Sequence, residues 1–135
     1  MQTIFDQYSK AVRDKNIDLL LSMYDSSVVV FDLWEAWSYE GAAPFRQMVT
    51  GWFDSLGKER VEAEFSETRV VKLGECSLAT ATVTYTAVSE DGKPLRSLQN
   101  RLTWVAKQTN GVWKIFHEHT SAPVDPQSGK ARLKR

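Results

Sequence analysis

From Gly57 onward the chain carries strand patterning and no helical spacing. Arg60 to Leu73 alternates through Val61, Ala63 and Phe65 before turning apolar at Val70-Val71. Cys76 to Ser89 puts Thr80, Thr82, Thr84 and Thr86 on one face and Ala79, Ala81, Val83 and Tyr85 on the other. That two-residue period belongs to a strand with two different faces. Asp91-Gly92 and Asn110-Gly111 are hairpin turns, because both dipeptides tolerate the left-handed backbone such turns need. An antiparallel sheet built this way must cover one face, so the first half of the chain has to supply the cover.

It supplies helices. Ile4, Phe5, Tyr8, Ala11 and Val12 recur at helical spacing and predict a helix from Thr3 to Asp14. Asn16 caps a second, Ile17 to Tyr24, and Asp25-Ser26-Ser27 breaks it. Val28 to Phe31 is a β-branched strand that delivers Asp32 at its end. Leu33 to Glu40 is a loop rich in aromatics. Pro44 then suits the first turn of a third helix, along which Phe45, Met48, Val49, Trp52, Phe53 and Leu56 form one apolar stripe ending at Gly57. Three helices followed by strands read as α+β, with the helices on one face of a curved sheet.

The chain has 135 residues, enough for one domain and one core. Residues 1–123 are expected to form it. Residues 124–135, with Pro, Gly, Ser and a basic end, are expected to be a disordered tail. Lys plus Arg and Asp plus Glu are both 17, so there is no basic field for nucleic acid or an anionic membrane. One cysteine, Cys76, cannot form an internal disulfide, and the first residues lack a basic segment followed by an apolar run. A reducing, cytoplasmic setting is the expectation.

Both histidines lie in the closing hairpin. His117 and His119 share a face at strand period, behind Trp113 and Ile115. Two turns fit. A two-residue turn at Asn110-Gly111 pairs Thr109 with Val112 and sends Arg101 to the face away from the histidines. A three-residue loop pairs Gln108 with Val112 and sets Arg101 opposite His119 and Trp104 opposite Phe116. We favour the second, since it groups the polar residues on one face. Leu102, Trp104 and Phe116 then lie on the outer face, which predicts a homodimer contact.

Tyr8, Met23-Tyr24-Asp25 before Val28 to Asp32, Gly41 before the third helix, and the Arg101 to Ser121 hairpin together resemble the nuclear transport factor 2-like superfamily over residues 3 to 123. Trp113 to Ser121 is similar to SnoaL-like and ketosteroid-isomerase-homologue proteins. It also resembles the association domain of calcium/calmodulin-dependent kinase II. The resemblance implies a cone-shaped barrel of strongly bent antiparallel sheet packed on three N-terminal helices, with a deep pocket at its mouth. By position Tyr8 resembles the family tyrosine that steadies an enolate, and Asp32 the aspartate that shuttles the proton. The family's second acid falls near Asn100 or Arg101, and neither is an acid.

Asp32 is thus a candidate general base, or else a strand-end aspartate paired with Arg101. Arg101 could hold a ligand carboxylate or form a structural ion pair. His117 is a candidate acid or base and His119 a ligand contact, although both could simply be bonded to neighbours. Trp34, Trp37, Tyr39 and Trp52 could line a pocket for an aromatic ligand. We assign no metal and no cofactor. Two functions compete. One is an isomerase, cyclase or dehydratase acting on a cyclic or aromatic carbonyl compound. The other is a non-catalytic module that binds a small ligand or drives oligomerisation.

Overall fold

The computed structural model describes residues 2–135. Helix α1 spans Gln2–Arg13 and buries Ile4, Phe5, Tyr8, Ala11 and Val12, the face its spacing predicts. Helix α2 is shorter than expected, Ile17–Leu21, with the Asn16 side chain accepting the Leu19 amide at 3.0 Å. Strand β1, Tyr24–Phe31, begins earlier than its β-branched run, because Tyr24 already pairs with Ile115. A two-residue strand β2, Tyr39–Glu40, returns beside it. Helix α3, Ala42–Ser55, follows Gly41, whose φ of 98° belongs to glycine and whose amide donates to Val28 O at 2.7 Å. Its stripe divides in two. Phe45, Val49 and Phe53 are core, while Met48, Trp52 and Leu56 are half-buried.

The remaining strands are β3 (Arg60–Leu73), β4 (Cys76–Val88), β5 (Pro94–Thr109) and β6 (Val112–Ser121). The sheet runs β2-β1-β6-β5-β4-β3 and is open, with β2 and β3 at its edges. It is mixed rather than purely antiparallel, since β1 lies parallel to β6. No helix among the described residues is long and apolar enough to cross a membrane. The fold class is α+β, three helices on a curved sheet, as predicted.

The closing hairpin differs from the favoured register. Thr109 pairs with Val112, so the turn is the two-residue one, and Asn110 and Gly111 both have positive φ, 53° and 78°. Pairing then slips. Ala106 faces Ile115 but Val105 faces His117, which leaves Phe116 as an extra residue in a β-bulge. Beyond the bulge Trp104 faces Glu118 and Arg101 faces Ser121. The slip reverses the faces. Ile115, Glu118 and Thr120 point inward, and the histidines point outward. Leu102 and Trp104 are core residues, with Trp104 stacked on Phe5 at 5.3 Å between ring centroids. They are therefore unavailable as an outer contact, which removes two of the three residues assigned to a dimer interface. Phe116 lies under the Lys107 ammonium instead.

The tail does not run free. Val124 bridges Ala131, and Asp125 Oδ1 accepts the amides of Gln127 and Ser128, so residues 123 to 132 fold into a tight turn.

Candidate functional site

Between α1, α3 and the inner face of the sheet lies an open-mouthed cavity of about 1020 Å³. Among the predicted site residues Tyr8, Asp32, Trp34, Tyr39 and Trp52 line it. Four others do not. His117 is on the outer face, where its Nδ1–H donates to Val29 O at 2.8 Å and its ring meets Phe31 edge-on. His119 is exposed beside the same Phe31. Arg101 is exposed and donates to Ser121 Oγ at 3.1 Å. Trp37 is 96% exposed and only edges a shallower outer hollow of about 510 Å³, with His119. The Phe116 bulge accounts for the histidines, since a strict two-residue count along β6 puts them on the wrong face. Arg101 is outside for a different reason: the turn is the two-residue one, and alternation along β5 from the buried Ala106, Trp104 and Leu102 leaves Arg101 on the outer face.

Asp32 stands at the end of β1, with Oδ1 accepting the Trp34 amide at 3.1 Å. No ion pair holds it among the described residues, and the expected one with Arg101 is not formed. Burial pushes its carboxyl up from the ordinary value, against the opposing pull of the Trp34 amide.

Tyr8 does not bond Asp32. Its hydroxyl lies 2.9 Å from that of Tyr85, and both residues line the cavity. One hydroxyl must donate to the other, which leaves the acceptor's own proton free. Burial holds both phenols well above their ordinary range, so both stay protonated donors. Tyr85 was visible in the sequence as one tyrosine on an otherwise aliphatic strand face.

Sequence reasoning missed Glu118. It is buried, lines the cavity and has no cation partner among the described residues. Its Oε1 accepts from Tyr24 Oη at 2.5 Å and from Trp104 Nε1 at 2.7 Å. Both lone pairs of that oxygen are thereby used, and Oε2 takes no hydrogen bond from the protein. Burial raises the Glu118 carboxyl above its ordinary value, and the Asp32 charge across the cavity adds to the rise. The hydrogen bonds from Tyr24 and Trp104 oppose that rise. The readable clue was Trp104. The largest side chain of the hairpin belongs inside, and whatever faces it is inside too.

The chain matches the family model of the SnoaL-like domain over residues 1–125. No curated protein matches it. Solved structures do. A nuclear transport factor 2-like protein of unknown function from Pseudomonas putida superposes with a TM-score of 0.85 at 22% identity, covering 99% of this chain and 92% of the other. A candidate calcium/calmodulin-dependent protein kinase II association domain from Xanthomonas campestris gives 0.76 at 18%, covering 90% and 84%. A candidate dehydratase of the nuclear transport factor 2-like family from Streptomyces avermitilis gives 0.77 at 15%, covering 92% and 94%. At these identities the likeness shows the fold alone.

Proposed function

This chain belongs to the SnoaL-like domain family, and from that premise we propose that it is an enzyme moving a proton on a small cyclic or aromatic carbonyl compound. The class is isomerase, cyclase or dehydratase. One observation carries the reading: an unpaired, partly desolvated carboxylate, Asp32, shares an aromatic-lined cavity with hydroxyl and carboxyl donors. Asp32 removes a proton from the carbon beside the carbonyl. The enolate oxygen that forms takes its hydrogen bond from the free hydroxyl of the Tyr8–Tyr85 pair. Glu118, protonated on Oε2, serves as the acid that returns a proton or releases water. Two carboxyls held in different environments divide the base and acid roles in this way.

The non-catalytic reading keeps one supporting observation, the Trp34 amide on Asp32 Oδ1, a contact a purely structural loop-end aspartate would also make. The two readings separate on 2-tetralone in deuterated buffer, with α-proton exchange followed by NMR. Wild type should exchange it faster than an equal concentration of acetate, and Asp32→Asn should lose at least about a hundredfold. The rate should fall at low pH as Asp32 protonates and at high pH as Glu118 loses its proton. Exchange no faster than acetate, or an unimpaired Asp32→Asn, refutes the enzyme.

A further inference from the structure

The tail that closes on β5 has a consequence for what the cavity admits. β5 has 16 residues and β6 has 10, and their pairing ends at Arg101 and Ser121. The first half of β5 is therefore left with one open edge, which the tail occupies. Gln99 N–H donates to Leu133 O at 2.6 Å, and the Arg135 amide donates to Gln99 Oε1 at 2.9 Å. Arg132 N–H donates to Pro123 O at 2.7 Å, fixing the approach. The result sets Arg132, Leu133 and Lys134 on the cavity lining beside Arg96 of β5.

Three cations thus share one wall. Arg96 pairs with Glu59 at 2.7 Å and Arg132 with Asp125 at 3.3 Å, and each guanidinium keeps further donors. Lys134 has no ion pair among the described residues. None of the three shifts Asp32 or Glu118: burial raises both, hydrogen bonds oppose the rise, and the Asp32 charge raises Glu118 further. The lining thus carries these three cations together with the carboxyls of Asp32, Glu35 and Glu118, with Met48, Trp52 and Leu56 among its apolar part. Asn100, 6% exposed and also on the lining, has a side-chain Oδ1 with no hydrogen-bond partner. A buried, unpartnered amide of this kind is rare unless something else satisfies it.

We propose that the tail and the first half of β5 form a cationic wall that selects a cyclic or aromatic ligand bearing a carboxylate. The carboxylate meets Lys134, Arg132 and Arg96, the ring lies against Trp52, and the Asn100 amide meets a polar substituent. The inference rests on reading the cavity as a small-molecule site, and it names the substrate class.

The test compares 2-naphthoate with its uncharged methyl ester, read by quenching of tryptophan fluorescence, since Trp34 and Trp52 line the cavity. Naphthoate should bind at least about tenfold tighter than the ester. The double variant Arg132→Gln/Lys134→Gln should lose about that factor for naphthoate and leave the ester unchanged. Lys134→Gln alone, which keeps the Arg132–Asp125 pair, should show the same direction with a smaller loss. Both variants should keep the wild-type unfolding temperature. Equal affinities, a preference surviving in the double variant, or no naphthoate binding overturns the proposal. Binding is read without turnover. A chain inert toward 2-tetralone can still pass, and an active one can still fail.

Discussion

Glu118 shows how much one buried carboxyl changes. Its Oε1 is fully occupied by Tyr24 and Trp104, and it has no cation to hold a charge. The folded-state value lies above the ordinary 4.5. Between those two values the folded chain keeps a proton that the unfolded chain has lost. Stability is therefore fully present below the ordinary value and falls as pH rises through the raised one. Glu118→Gln removes the titration while keeping an oxygen for the two donors. Denaturant unfolding from about pH 4 to about pH 8 should show wild type losing stability relative to Glu118→Gln as pH rises. Parallel curves would mean the carboxyl is not buried neutral. Glu118 sits between His117 and His119 in sequence and on the opposite face.

At the scale of elements the decisive feature is the single extra residue in β6. A strand's faces alternate strictly, so one inserted residue exchanges inside for outside for everything beyond it. Phe116 occupies that position, half-buried under Lys107. Deleting Phe116 should remove the bulge and join Ile115 directly to His117, which leaves the histidines outward and Glu118 facing Trp104. Circular dichroism should then still find a cooperative unfolding transition. Phe116→Ala keeps the residue count and should cost at most about 2 kcal/mol, because the ring is only partly buried. A deletion that abolishes cooperative unfolding would show that Phe116 is not the inserted residue that sets the faces. The helices obey simpler rules. α1 buries the residues its 3.6-residue period selects, and α3 divides its stripe between core and cavity.

For the molecule as a whole, the tail joins the sheet to the cavity mouth. Removing residues 124–135 should speed hydrogen exchange at the Gln99 amide, which bonds Leu133, and leave the Val83 amide in the sheet interior protected. The melting temperature should fall by about 3 °C, the scale of about 1 kcal/mol in a domain of this size. Unchanged exchange at Gln99 would detach the tail from β5. Much of this architecture was legible in the chain. Helical periods, paired turn dipeptides and two-residue alternation are local signals, so the sequence alone determined the α+β class, the helices and the place, though not the length, of the closing turn. Their physical basis is backbone geometry within a few residues. The bulge, the inward side of the closing hairpin, the Tyr8–Tyr85 and Glu118–Tyr24 bonds and the docking of the tail were decided only by tertiary structure. Each depends on a partner 14 to 94 residues away in the chain, or on one residue more or fewer in a pairing, and neither leaves a mark in the local pattern.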